Sequence, residues 1–367
     1  MTHRMSNCWM VLVAAVLGAS TVQAGTDPTP DQFFQTLEMQ MKQGIPEDEP
    51  GVVIAVARDG EVLFRGAYGM ASLELDVDLT PEHAFCIASA TKPITATAVM
   101  ALVEDGALHL DAAADDLLEE VDLDPRITIE HLLSHTSGLP DIFDIEGYGE
   151  DALHKAITPE ELCAAADGAA LLSAPGTRHR YSNLGYALLG RIVEVRTGGS
   201  LESFMQERVF DRAGMEHTMF GGDRRIVPGA VGNYTRAEDS GWRCAEPLNY
   251  SRGFALGGLF STVDDLVAFD RALRDGEILE PATVSRMERA FVLPDGTPAE
   301  HGLGWATAVR GGTRFVHHGG GINGWRSSIV AIPDRKVFVA VLSNRGEERT
   351  PVGSLAMMVA ARVAALP

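Results

Sequence analysis

Strand patterns stand at both ends of this 367-residue chain while helical patterns fill its middle. One sheet can form only if the two ends meet around a long insertion. Near the start, the apolar runs over 51–58 and 61–69 flank Asp59-Gly60, a pair suited to the positive φ angles of a tight hairpin turn. Further along, residues 313–316, 327–332 and 337–342 read as strands, the last two joined by a turn at Pro333-Asp334-Arg335. Apolar residues at helical spacing over 31–43, stopped by Gly44 and Pro46, and again over 351–364 predict terminal helices. The expected fold is α+β, an α/β lobe beside an all-α lobe. Its antiparallel sheet is built from residues 25–88 and 291–367 with the terminal helices packed on it, and residues 89–290, with helical patterns over 94–103, 183–196 and 263–274, form the second, mainly helical lobe.

No repeat of solenoid period and no low-complexity linker interrupts the chain, so two lobes sharing a cleft is the economical architecture. A formal charge of -21 argues against nucleic acid as a partner, because an acidic surface repels phosphate backbones. Residues 1–24 read as a secretory signal: Arg4, an apolar run from Trp9 to Ala19, and a small-residue exit at Val22-Gln23-Ala24. That run is shorter than the roughly 20 residues a membrane span needs, so cleavage after Ala24 and an exported product without a membrane span are expected. Beyond the leader only Cys86, Cys163 and Cys244 remain, which allows one disulfide at most and matches no zinc motif.

Three short segments carry chemistry. In Cys86-Ile87-Ala88-Ser89-Ala90-Thr91-Lys92-Pro93 an extended stretch opens into an apolar helix, with Pro93 in its first turn. Ser89 then lies at a helix N-terminus, and the i to i+3 spacing puts the Lys92 amine beside its hydroxyl. A serine needs such a partner to act as a nucleophile. In Pro175 to Asn183, Tyr181 and Asn183 flank a turn before the next helix; a phenol beside a lysine cation can have its pKa lowered enough to relay a proton, and the Asn183 amide can bind both Lys92 and a substrate carbonyl. In Phe315 to Gly324 a strand runs into glycines that let a ligand approach the backbone, where N–H groups can serve an oxyanion, and of His317 and His318 one faces the cleft.

Taken in order, Ser89-x-x-Lys92, Tyr181-Ser182-Asn183 and His318-Gly319-Gly320 resemble the three motifs of the class C β-lactamase and D-alanyl-D-alanine carboxypeptidase family of serine hydrolases. The segments 132–140, 257–262 and 301–305 are similar to stretches found between those motifs, so the resemblance covers about 30–365 as one catalytic domain. It implies acyl transfer through a covalent acyl-enzyme, with Ser89 as nucleophile, Lys92 and Tyr181 as the proton-handling network, and Asn183, His318 and Gly320 as substrate ligands. It also implies an oxyanion hole made by the backbone N–H groups of Ser89 and Gly321. No cofactor is implied. Dedicated class C enzymes carry Lys where this chain has His318, so weaker binding of a substrate carboxylate is expected near pH 7, with sensitivity to pH around 6.5. The favoured activity is therefore of D,D-carboxypeptidase or esterase type on small esters, D-amino-acid peptides or amides; β-lactam hydrolysis is the alternative within the class, and a non-catalytic peptidoglycan or penicillin-binding sensor the alternative outside it.

His131 and His135, four residues apart, form the one candidate metal pair, and without an H-E-x-x-H arrangement the segment reads better as a loop scaffold. The sequence leaves open the acyl substrate, the oligomeric state and which of Lys92 and Tyr181 takes the first proton.

Overall fold

The chain ends lie side by side in one six-stranded antiparallel sheet. The hairpin β1 (Val52–Arg58) and β2 (Glu61–Tyr68) joins β3 (Ala306–Arg310), β4 (Thr313–Ile322), β5 (Trp325–Ile332) and β6 (Val337–Ser343) in the order β3-β4-β5-β6-β1-β2. The last strand of the sequence pairs with the first, Val52 opposite Ser343 and Arg58 opposite Val337. The computed structural model describes residues 29–149, 152–222, 224–237, 241–346 and 351–367. The expected leader, residues 1–24, lies outside them. Among the described residues no helix is long and apolar enough to cross a membrane.

The longer helices are α1 (Pro30–Gly44), α2 (Thr91–Glu104), α3 (Asn183–Thr197), α4 (Val263–Asp275) and α5 (Val352–Ala365). Thr29 caps α1 in a reciprocal box with Gln32, satisfying two orphan N–H groups. Asp59 (φ 54°) and Gly60 (φ 78°) supply the two positive angles of the hairpin turn.

β1 and β6 are apolar throughout because both faces are covered. Val52, Ile54, Val56, Val337, Val339 and Val341 pack with Leu355 and Val359 of α5 and Leu37 and Met41 of α1. Val53, Ala55, Phe338, Ala340 and Leu342 face the other way, into the large core shared with α2, α3 and α4. Each aliphatic side chain so buried contributes roughly 1.5–3 kcal/mol, so the central strands anchor the sheet on which the cleft is built.

Two features depart from the expectation. β3 is an additional edge strand; its Ala306-Thr307-Ala308-Val309-Arg310 run is half exposed and shows no clean alternation. β4 does not end at Val316 but continues through the glycines to Ile322, because Gly319, Gly320 and Gly321 still pair with Ser328, Ser327 and Arg326 of β5. Short strands also accompany the helices of the mainly helical lobe. Phe85–Cys86, Leu259–Ser261 and Met219–Phe220 form a small sheet, and Tyr234–Arg236 pairs with Trp242–Cys244. Cys86, Cys163 and Cys244 are all free thiols.

Candidate active site

Ser89 sits in a strained turn at the head of α2. Strand Phe85–Cys86 delivers the chain to Ala88, a non-glycine residue at φ 46°, and a 3-10 turn over Ala88–Ala90 runs into α2. Such a backbone costs about 1–3 kcal/mol and persists where its surroundings hold it. Here Ile87 N–H donates to Leu259 O at 2.9 Å, and Ser327 Oγ donates to Ile87 O at 2.6 Å. The kink leaves Ser89 partly open to the cleft while Ala88 and Ala90 are buried.

Lys92 is fully buried one turn further on. Its Nζ lies 3.2 Å from Ser89 Oγ, 2.7 Å from Asn183 Oδ1 and 2.6 Å from Leu256 O. Burial drives its pKa down from 10.5 to about 7, against the opposing pull of the nearby Asp141 carboxylate. A neutral amine has two N–H donors and one lone pair. The two carbonyl oxygens can only accept, so they take the two hydrogens, and the lone pair is left facing Ser89 Oγ.

Tyr181 and Asn183 are brought to the same point by the start of α3, where Ser182 is the N-cap, accepting from Gly185 N–H at 3.3 Å. The 132–140 segment holds that turn from behind: His135 Nδ1 accepts from Ser182 N–H at 3.2 Å, Ser182 Oγ donates to Pro140 O at 2.9 Å, and the His135 ring stacks on Tyr181 at 4.3 Å. Tyr181 hydrogen-bonds with Ser89, and Lys92 Nζ stands 5.0 Å from its ring centroid. The expected lowering of the phenol pKa does not occur. Burial outweighs the hydrogen bond to Ser89 and pushes the phenol above its usual value, which keeps Tyr181 protonated as a donor.

The Asn183 amide is likewise committed differently from the expectation. Its Nδ2 donates to Asp141 Oδ2 at 2.9 Å, and its backbone N–H reaches the same oxygen at 3.1 Å. This directs the amide nitrogen away from a substrate carbonyl and fixes the oxygen on Lys92. Asp141, with Leu256 O, is the part of the site that motif spacing did not reveal. The signal was present, since Asp141 directly follows the quoted segment ending at Pro140.

β4 forms the opposite wall. A Cβ on Gly320 would collide with Ile87 O and Ser327 Oγ and lie 3.0 Å from Ser89 N, so the strand touches the Ser89 turn only because position 320 is glycine. Gly320 therefore packs behind Ser89, while Gly319 and Gly321 line the cleft. His318 is buried and its Nδ1 donates to Gly319 O at 2.7 Å. Burial, then the proximity of Lys92 and His301, holds its pKa well below 6.5. This corrects the expectation of a histidine that titrates with substrate charge near pH 6.5: His318 is neutral at pH 7 and supplies no cation.

His135, His301 and His318 place one ring nitrogen each within 4.8 Å of one another. In this arrangement His135 has no lone pair to offer a metal, because Nδ1 accepts the Ser182 N–H and the proton therefore sits on Nε2. His131, the other member of the sequence pair, accepts from Thr128 N–H at 3.2 Å as part of a helix capping box. It caps a helix and does not pair with His135.

Ser89, Tyr181, Asn183, His301, His318 and Gly321 thus open onto one cleft of about 650 Å³, which Glu300 and Thr307 also line. A larger cavity of about 1070 Å³ lies between β4 and α5 and contains none of the Ser89, Lys92 and Tyr181 group. The smaller cleft brings the Ser89 hydroxyl together with a lysine amine whose pKa burial lowers to about 7 and a protonated phenol, groups that acyl transfer can use.

The family model described as Beta-lactamase matches residues 35–362. A D-aminopeptidase of Gluconobacter oxydans (strain 621H) is 31% identical over 304 residues, which is 80% of this chain and 56% of that protein. The chain thus spans little more than half the length of this curated relative. Among solved structures, the octameric penicillin-binding protein homologue from Pyrococcus abyssi superposes with a TM-score of 0.76 at 27% identity, covering 89% of this chain and 76% of that one. The D-amino acid amidase from Ochrobactrum anthropi SV3, solved with D-phenylalanine, superposes with a TM-score of 0.72 at 26% identity, covering 89% and 97%. With a family match across nearly all of the described residues and the three motifs converging on one cleft, the chain belongs to the beta-lactamase family of serine hydrolases.

Proposed function

We propose that this chain hydrolyses amides and short peptides of D-amino acids through an acyl-enzyme on Ser89, as the names of its D-aminopeptidase and D-amino acid amidase relatives suggest. The observation that carries the reading is the placement of Lys92 Nζ 3.2 Å from Ser89 Oγ and within hydrogen-bond reach of two carbonyl oxygens, Asn183 Oδ1 and Leu256 O, so that in its neutral form the amine can turn its lone pair to Ser89. Lys92 takes the hydroxyl proton as Ser89 Oγ attacks the substrate carbonyl carbon. The N–H groups of Ser89 and Gly321 donate to the developing oxyanion at the head of α2, where the helix dipole favours negative charge. Collapse expels the amine, which takes a proton from the Lys92 and Tyr181 pair. Water then attacks the ester, Lys92 again holds the proton, and release of the D-amino acid restores Ser89. Asn183 and Asp141 orient Lys92 throughout.

A neutral His318 weakens the two readings that need a cation for a substrate carboxylate, β-lactam hydrolysis and D,D-carboxypeptidase action. A turnover panel of D-alanine p-nitroanilide, p-nitrophenyl acetate, nitrocefin and a D-Ala-D-Ala peptide tests the assignment. The anilide and the ester are expected to turn over well ahead of the other two, and Ser89→Ala to abolish all turnover. Nitrocefin as the best substrate, or activity that survives Ser89→Ala, contradicts it. Export remains a proposal carried by the leader pattern, checked by the N-terminal residue of the secreted protein.

A further inference from the structure

We propose that Glu300 is an ammonium-binding subsite of the Ser89 cleft that takes the free α-amino group of the aminoacyl substrate, an inference that rests on the reading above and specifies which end of the substrate is recognised. Glu300 lines the cleft, and its exposed carboxylate enters no hydrogen bond or ion pair among the described residues. It is the one acidic residue among those lining the cleft.

The backbone fixes where that carboxylate stands. Glu300 O accepts from Thr307 N–H at 2.8 Å, His301 bridges to Ala306, and Ala306 lies opposite His317 in the pairing of β3 with β4. Glu300 is thereby tied to the same edge of the sheet that carries His318 and the glycines, across the cleft from α2. Its charge acts on His179, beside the cleft, whose Nε2 lies 3.0 Å from Nδ1 of the cleft-lining His301.

The remaining lining groups make this charge decisive. His301, His317 and His318 are all held below the ordinary histidine range by burial, so none of them offsets a carboxylate at neutral pH. A D-aminoacyl amide brings one cation, its α-ammonium, and no carboxylate near the reacting carbonyl. The cleft suits that charge. A peptide bearing a terminal carboxylate meets repulsion from Glu300 and finds no cation at His318.

Calorimetric titration of Ser89→Ala protein, which cannot form the acyl-enzyme, measures this subsite apart from catalysis. D-Phenylalaninamide is expected to bind roughly two- to fivefold more tightly than N-acetyl-D-phenylalaninamide, the size of one solvent-screened charge pair. In Ser89→Ala/Glu300→Gln that preference is expected to vanish. Equal binding of the two amides by Ser89→Ala, or a preference that survives Glu300→Gln, overturns the proposal. Failure of the hydrolytic reading looks different: wild-type protein leaves D-alanine p-nitroanilide intact while the calorimetric preference and its loss in Glu300→Gln are still observed.

Discussion

Lys92 and Asn183 are joined by a 2.7 Å hydrogen bond whose direction is set from outside the pair, because Asp141 holds the other end of the Asn183 amide at 2.9 Å. The asparagine cannot flip without presenting its NH2 group to Lys92 and its oxygen to a carboxylate. A carbonyl is thereby kept on the lysine, which is what frees the lysine lone pair for Ser89.

Asp141→Asn tests that dependence. It leaves one acceptor oxygen, beside an NH2 group, where two carboxylate oxygens held the Asn183 amide, and it removes the negative charge that opposes the depression of the Lys92 pKa. The expected result is a kcat reduced roughly tenfold, equivalent to about 1.4 kcal/mol in the barrier. The acid limb of the kcat/KM profile should move to lower pH, since loss of the carboxylate disfavours the protonated amine. A full pH profile with p-nitrophenyl acetate measures both, and a limb that moves to higher pH contradicts the assignment of Asp141.

Gly320→Ala examines the seam between β4 and the Ser89 turn. The added Cβ meets Ser327 Oγ and also backbone, at Ile87 O and Ser89 N, which cannot swing aside as a side-chain end can. Overpacking of this kind costs about 1–3 kcal/mol of stability. Displacement of Ser89 by a fraction of an ångström is expected to lower kcat by up to roughly a hundredfold. Thermal unfolding and kcat report the two effects, and a variant with unchanged kcat shows that the seam does not position Ser89.

The buried histidines make stability depend on acid in a calculable direction. His301 is held at about 3 against 6.5 for the ordinary side chain, and His135 and His318 are also well below it, in each case first through burial. The unfolded chain takes up protons that the folded chain refuses, so their contribution is complete above pH 6.5 and is lost as pH falls below it. For each such group the loss is up to about 1.4 kcal/mol per pH unit, for His301 down to about pH 3. The urea midpoint is expected to fall between pH 6.5 and 4.5, and His301→Gln to flatten that slope relative to wild type. Identical slopes for the two proteins contradict the neutral assignment of His301.

The sheet was legible because its strands carry strong signals. Asp59-Gly60 marks the hairpin, and the apolar runs of β1, β5 and β6 reflect covering on both faces. β3 was not, since an edge strand of small and half-exposed residues lacks alternation. The convergence of Ser89, Lys92, Tyr181 and Asn183 followed from ordered motifs, but the directions of their hydrogen bonds did not. Motif spacing specifies neighbours; it does not say which end of the Asn183 amide faces Lys92, or that burial keeps Tyr181 protonated and His318 neutral. Those depend on contacts such as Asp141 with Asn183 and His135 with Ser182, made between segments about 40 or more residues apart.

The rate at which a fluorophosphonate labels the protein, followed against pH with the modified peptide identified by mass spectrometry, tests the pairing of Ser89 with a neutral Lys92 most directly. The label is expected on the peptide containing Ser89, at a rate that rises about tenfold per pH unit and levels off above a midpoint of about 7. Labelling at another residue, or a rate on Ser89 that stays flat from pH 5 to pH 9, contradicts it.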